Sequence, residues 1–485
     1  MPFLNDSFAL PKAFLFWMFI PLFFMTDDFS ADKEEMPVYF VTVIYFLLSL
    51  FSIYPMLSFT GLYRYYFNGF FSLFAGVALF RILRKFPESV IKKLLGFLLF
   101  SALLTCAAVF AGGGTRISST FGNPNFYGGV LAALIPYALF FSLSKAGYGI
   151  HFIFFAIALL MTLSRASWVG ASAGILFFVL SGKGRGASKA GRARAARNIL
   201  AATALILAGA FIISTHFAGD IFRRAVSIFN LSEADIVSRF EGYAASMAIF
   251  AEKPFFGHGP ESFSILFRSH APVSFIKQIG GLAHAGYSHC YPMQLLAETG
   301  LAGFGVWLFL IFVLLKKAFT SKELFKKAAG ASVTAYVVTN LFAFPSITEL
   351  LVFWFSAAVI YGPERGGGCS TLRPSRFPVL ASRAAAFVFI LFPIATLISE
   401  ISFVSAGKNP DPVKAYAKLR RADFFLPSDY HLMNAGKICI VFYEKTGAAV
   451  WLDRGDEFFQ KLIKRNPRHA LALNGAGVAA RENFI

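Results

Sequence analysis

The feature that most constrains this chain is a series of apolar runs, each nearly long enough to cross a lipid bilayer. They fall near 8–25, 37–55, 63–80, 94–111, 127–144, 148–163, 166–182, 198–216, 290–315, 328–345, 347–362 and 384–402. A bilayer core of about 30 Å calls for roughly 20 apolar residues in helical form. Lipid offers the backbone no hydrogen-bond partners, so each run must satisfy its own amides as a helix. The pattern predicts an all-α polytopic membrane protein with about 12 transmembrane helices. Charged residues make up only 15% of the chain, against roughly a quarter in soluble domains.

A formal charge of +19 raises the question of nucleic acid. The lysines and arginines gather instead in 81–93, 183–197, 316–327 and 363–383, as cytoplasmic loops of membrane proteins do. No nucleic-acid-binding motif is present, so the expected surroundings are membrane lipids and no nucleic acid. The loop 183–197 carries six basic residues among small ones and reads as a linker beside anionic headgroups. Cys106, Cys290, Cys369 and Cys439 form no CxxC or Cys/His metal spacing and imply no disulfide framework. The apolar stretch Phe14–Met25 lacks a small-residue cleavage site after it and reads as a signal anchor.

With the four basic loops inside, 112–126, the 164–167 turn, 217–289 and everything after 402 lie outside. Under the same rule the acidic loop Asp27–Glu35 falls inside. Acidic residues contribute little to orientation, so the basic loops decide, although a missed or re-entrant helix before residue 81 would also account for it. Residues 1–402 form the transmembrane domain in this reading, with 217–289 as a large external loop. That loop holds six basic and six acidic residues, together with aromatics and glycine turns, and is expected to fold. Within it, Ser232–Pro254 reads as a helix with an apolar stripe at Ile236, Phe240, Tyr243, Met247 and Phe250, expected to serve in packing. Residues 403–485 read as an external helical tail. Its segments from Pro427 to Asn434 and from Pro467 to Asn474 are alike at an offset of 40 residues, which points to a tetratricopeptide-like repeat. Such repeats bind partners, and this one is expected to dock on the rest of the chain.

Four clusters carry candidate chemistry. Gly112–Phe126 combines glycines, Arg116 and the turn-forming Asn123-Pro124-Asn125, which suits an anion cradle or an ordinary turn. Arg165 stands between two apolar runs, where an arginine is either functional or snorkelling to water. Arg239 borders the stripe of the external helix. His289 opens the helix that re-enters the membrane, and an imidazole there can take a proton from a hydroxyl. Glu298 follows nine residues on, about half a turn out of phase, and is not expected to pair with it. His258, His270 and His284 lack metal-ligand spacing, and no metal is expected. Taken together, three arginines and one histidine share one predicted face of the membrane. Guanidinium groups match phosphate oxygens and stay charged when partly desolvated, so a lipid-linked diphosphate suits that face.

The order of these motifs resembles the bacterial O-antigen ligase/polymerase family of polytopic, C-type glycosyltransferase-like enzymes. The matching pieces are Arg116 with Phe121-Gly122-Asn123-Pro124-Asn125, then Ser164-Arg165, then Arg239 through Gly257-His258-Gly259, then His289 through Glu298-Thr299-Gly300. They span roughly residues 60–362, and the family's His-Asn pair reads His289-Cys290 here. The resemblance implies transfer of a glycan from undecaprenyl diphosphate at the outer face of the bacterial inner membrane. The acceptor would be lipid A–core, another glycan or a protein. It implies Arg165 and Arg239, with Arg116, as diphosphate-binding residues and His289 as the catalytic base. Asn125 and Glu298 would be supporting residues, with inversion at the anomeric carbon and no cofactor. An O-antigen ligase is the leading expectation, with a polymerase or protein O-glycosyltransferase next. A transporter of the same lipid would show internal repeats of its helical halves, which are not evident, and a scaffold would leave the histidine without a purpose.

Overall fold

The computed structural model describes residues 9–27, 33–112, 117–144, 146–182, 234–273, 275, 285–362, 379–425, 428–467 and 469–483. Every regular element among them is helical. The first helices are α1 (Ala9–Trp17), α2 (Phe19–Thr26), α3 (Met36–Leu50), α4 (Pro55–Thr60) and α5 (Phe70–Leu83). Next come α6 (Glu88–Gly112), α7 (Pro124–Ser144), α8 (Gly149–Met161) and α9 (Arg165–Gly182). The segment between α9 and the next long helix contains α10 (Ala234–Glu252) and α11 (Phe263–His270). Then follow α12 (Tyr291–Thr320), α13 (Leu324–Asn340), α14 (Ile347–Tyr361) and α15 (Val379–Gly407). The tail is α16 (Pro412–Phe424), α17 (Asp429–Thr446), α18 (Val450–Arg465) and α19 (Ala470–Asn483).

Five helical stretches are long and apolar enough to cross a membrane: 9–26, 88–107, 124–143, 291–320 and 381–407. The expected count of about twelve spans is not confirmed among the described residues. Several expected runs yield short apolar helices, at 70–83, 149–161, 165–181 and 347–361. The run at 63–80 shows why: its first part is a tight turn with Arg64 and Tyr66 at positive φ, and only its second part is helical. The run at 198–216 lies outside the described residues.

The centre of the bundle is α7, α9 and α13, with α14 and α5 against it. Small residues set how closely these helices approach, as expected where lipid removes the hydrophobic drive for association. A Cβ on Gly174 of α9 would stand 2.7 Å from the Ala331 carbonyl of α13, and one on Gly170 would run into the Thr339 side chain. Helix α12 lies against α3, and α10 lies on α12. The contact face of α10 is not the predicted apolar stripe. Gly242, Ala245, Ser246 and Ile249 are buried, whereas Phe240 is 55% and Met247 44% exposed. This corrects the packing role given to the stripe. Small residues admit the neighbouring backbone, and the large apolar ones are left on the outside.

The two ends of the bundle differ in charge. At one end, Arg81 pairs with Asp27 at 2.8 Å and with Glu35, Arg84 pairs with Glu35, and Lys85 pairs with Asp27 at 3.3 Å. Lys317 meets Glu34 at 2.8 Å, Lys326 donates to the Gly362 carbonyl and Lys327 to the Ser181 carbonyl. The starts or flanks of all four basic loops thus share this end. The acidic loop falls there because its carboxylates are partners of the basic side chains, which removes the oddity of its position. The tail docks near the other end. Tyr63 stacks on Tyr430 of α17 with ring centroids 4.7 Å apart, Tyr54 donates to Asp429 at 2.6 Å, and His431 meets Glu400 of α15 at 2.7 Å.

Candidate functional site

The end opposite the basic loops is organised by the six residues between α13 and α14. Helix α13 stops at Asn340, and Ser346 starts α14 with a capping box: its hydroxyl accepts from Glu349 N at 3.3 Å, and the Glu349 carboxylate accepts from Ser346 N at 2.6 Å. Phe344-Pro345 cannot continue either helix, because the residue before proline avoids the helical region. The intervening carbonyls therefore face neighbours. Ala343 O accepts from Tyr291 N at 3.1 Å, and Phe342 O accepts from Arg239 Nη1 at 2.7 Å.

This connection brings two sequence-predicted residues together. Arg239 projects from α10 to Phe342, and the His289 ring lies 5.4 Å from the Phe344 ring, one side of it open to solvent. Phe344 also packs on Tyr287, Phe67, Tyr65 and Phe126. His289 sits in a left-handed conformation at φ 59°, two residues before α12. Asn125 lies in the first turn of α7, where its amide donates to Asn123 Oδ1 at 2.9 Å, next to Phe126. Arg165 opens α9 at the same end of the bundle, half-buried, preceded by Leu163 at φ 53°. The Ser164 and Ser167 hydroxyls meet at 2.9 Å, and a Cβ on Gly128 of α7 would stand 2.7 Å from Ser167 Oγ. Arg165 thus lies beside the first turns of α7, while Arg239 and His289 meet on the 342–344 connection. Arg116 lies outside the described residues.

Glu298 is placed differently from these four. It is fully buried in α12 and accepts from Asn68 Nδ2 at 2.6 Å, Glu261 N at 2.9 Å, Gln294 Nε2 at 3.0 Å and Phe263 N at 3.3 Å. It does not pair with His289, in keeping with their helical phase. The Glu298 carbonyl also accepts from His258 N and Gly259 N, at 2.9 and 2.7 Å, while Gly300 breaks the helix at φ 59°. The segment between α10 and α11 is thereby tied to α12 at its kink. Glu261 is buried beside this node, with Tyr287 Oη donating to it at 3.1 Å. Burial pushes its carboxyl up to about 7. Burial likewise holds the His258 imidazole below its usual range, with Nε2 donating to the Ile249 carbonyl at 3.3 Å. His270 reaches Glu252 at 2.9 Å, and His284 lies outside the described residues.

Six non-glycine residues have positive φ among the described residues: Arg64, Tyr66, Ser119, Leu163, Glu261 and His289. All six stand in segments at this end of the bundle. Such conformations cost about 1–3 kcal/mol each and cluster where structure is held for function. Sequence reasoning missed Arg64, Glu261 and Phe344. Phe344 had a signal in Phe344-Pro345-Ser346, a turn-type stretch whose serine lies three residues before Glu349, the capping-box spacing.

Chemically, an exposed imidazole close to a guanidinium fits proton removal next to a bound anion. Residues 150–308, about a third of the chain, match the family model described as O-antigen ligase. No curated protein matches the chain.

Proposed function

We propose, from the premise that residues 150–308 place this chain in the O-antigen ligase family, that it transfers a glycan from undecaprenyl diphosphate to an acceptor hydroxyl, foremost on lipid A–core. At the family level it is a glycan-transferring membrane enzyme of O-antigen or polysaccharide biosynthesis. The observation that carries the finer reading is the meeting of Arg239 and His289 on residues 342–344, at the end away from the basic loops. By the positive-inside rule that end faces outward, towards the outer face of the inner membrane.

In the proposed step the acceptor oxygen attacks the anomeric carbon from the side opposite the diphosphate. The bond to the diphosphate oxygen breaks and its electron pair leaves with the lipid, so the configuration inverts. His289 takes the hydroxyl proton as the new bond forms. Arg165 and Arg239, with Arg116, hold the diphosphate and balance the charge that grows on it, a role that calls on no metal. Asn125 and Glu298 support this arrangement from the first turn of α7 and from within α12. The same chemistry serves a polymerase or a protein O-glycosyltransferase, since the acceptor alone separates them. The tail, read as a tetratricopeptide-like repeat with α17 and α19 in corresponding places, would recruit an acceptor or an assembly protein.

The test is transfer by the purified chain in liposomes, with lipid-linked glycan and each acceptor in turn, with and without a chelator. His289→Ala and Arg165→Ala variants that keep the wild-type unfolding midpoint should lose at least about 100-fold in rate. Full turnover in His289→Ala removes the assigned base, and lipid movement across the bilayer without a new glycosidic bond favours a transporter.

A further inference from the structure

Tyr65 and Phe126, which pack on Phe344, also line a cavity of about 320 Å³ to which the proposed mechanism assigns no role. Its walls come from α1, the 61–66 turn, the 119–126 segment and the start of α14. Two cationic side chains, Lys12 and Arg64, line it together with Asn123 and Ser346, and no carboxylate does among the described residues. The N-terminal ends of α7 and α14, helices of 21 and 15 residues, open onto it. The dipole of α7 adds positive potential to that of the two side chains, while the end of α14 is met by the Glu349 carboxylate of its capping box. Tyr65 and Phe126 supply aromatic wall, and both rings pack on Phe344, whose ring centre is 5.4 Å from that of His289.

Both cations are held in place. Lys12 Nζ donates to the Thr120 carbonyl at 2.7 Å and lies 4.0 Å from the centre of the Phe121 ring. Arg64 has φ 74°, a conformation an arginine adopts only under constraint. Its guanidinium lies over Tyr63 and, at 5.2 Å, over Tyr430 of the tail. An arginine kept in a strained backbone, braced by a second region of the chain and lining a cavity with no carboxylate among its described wall residues is arranged for an anion.

We infer that this cavity is a second anion subsite, in which Lys12 and Arg64 bind a phosphate group of an amphiphilic glycan substrate. The inference rests on the proposed glycan transfer for the identity of that substrate. The phosphate belongs either to the donor's diphosphate or to a phosphorylated acceptor, and kinetics distinguish the two.

The experiment uses the full chain in detergent, with Arg64→Gly and Lys12→Gln. Glycine accepts positive φ freely, so Arg64→Gly removes the guanidinium while relaxing the backbone, and Arg64→Lys tests rescue by charge. Binding of inorganic diphosphate is measured by calorimetry in an Arg116→Ala/Arg165→Ala/Arg239→Ala background, so that this cavity is what is read. KM and kcat are then measured for donor and acceptor in the otherwise unaltered chain. Each loss-of-charge variant should weaken diphosphate binding about tenfold and raise one KM about tenfold with kcat little changed. The substrate whose KM moves identifies the source of the phosphate. Unchanged diphosphate affinity together with unchanged KM for both substrates overturns the subsite, whatever His289→Ala does. Full activity in His289→Ala with diphosphate binding still dependent on Arg64 overturns the proposed mechanism and leaves the subsite standing.

Discussion

Replacing Glu298 by glutamine exchanges one carboxylate oxygen for an amide NH₂ in a site built entirely from donors. Asn68 Nδ2 and Glu261 N point at one oxygen, Gln294 Nε2 and Phe263 N at the other. Whichever oxygen is lost, two donors then face a third. The backbone amides of Glu261 and Phe263 cannot turn away. Asn68 cannot flip without cost, because its Oδ1 accepts from Tyr45 at 2.7 Å and Tyr291 at 3.1 Å. Gln294 is likewise engaged, through its Oε1, by Ser288 N at 3.3 Å. Two buried donors left without partners cost about 1–3 kcal/mol each, so Glu298→Gln should destabilise by roughly 2–6 kcal/mol, a large part of an ordinary folding free energy. Thermal unfolding in detergent, followed by circular dichroism at fixed scan rate, should show a midpoint lower by about 2–6 °C. Transfer should weaken with it, because Gln294 also holds the backbone next to His289. A variant with the wild-type midpoint that has lost transfer would refute the reasoning, since Glu298 would then act on substrate and not as a node. A variant normal in both respects would show that the four donors are not paired to it.

Two further outcomes follow from the same region. Glu261 has its acid form favoured in the fold, from an ordinary 4.5 up to about 7 through burial. Its contribution to stability is therefore full below about 4.5 and is lost as pH rises through about 7. The unfolding midpoint should fall between pH 5 and 8, and Glu261→Gln should flatten that slope; an unchanged slope counts against the assignment. Two glycines of α12 should respond in opposite directions. Gly300→Ala would set a methyl 2.6 Å from the Phe255 carbonyl at a φ of 59° and should cost at least about 2 kcal/mol. Gly305→Ala meets open space and should stabilise by about 0.5–1 kcal/mol. Unfolding midpoints of the two variants on opposite sides of the wild type are the expected reading.

Local pattern was legible wherever a segment's own residues decide its state. The apolar runs among the described residues are largely helical, although several of those helices are shorter than a bilayer. The start of α7 at Pro124 and the helix from 234 to 252 follow from punctuation and periodicity that no distant contact overrides. The clustering of lysine and arginine anticipated that the basic segments share one end of the bundle, because charge is excluded from the apolar middle wherever the chain happens to lead.

What the tertiary structure alone decided are pairings between residues far apart in sequence. Asn68 and Glu298 are 230 positions apart, and neither carries a local sign of the other. Asp27 and Glu35 looked misplaced until Arg81 and Arg84 were seen to neutralise them. Residues 341–345 read as the end of an apolar run, yet Arg239 and His289 both contact this connection. The stripe on α10 was assigned to the wrong face for a related reason. Periodicity reports that one side of a helix is apolar, but next to lipid that side can turn outward while glycine, alanine and serine make the contact. Apolar period and charge clustering are properties of neighbours along the chain; which buried donor finds which acceptor is settled only when the whole chain packs.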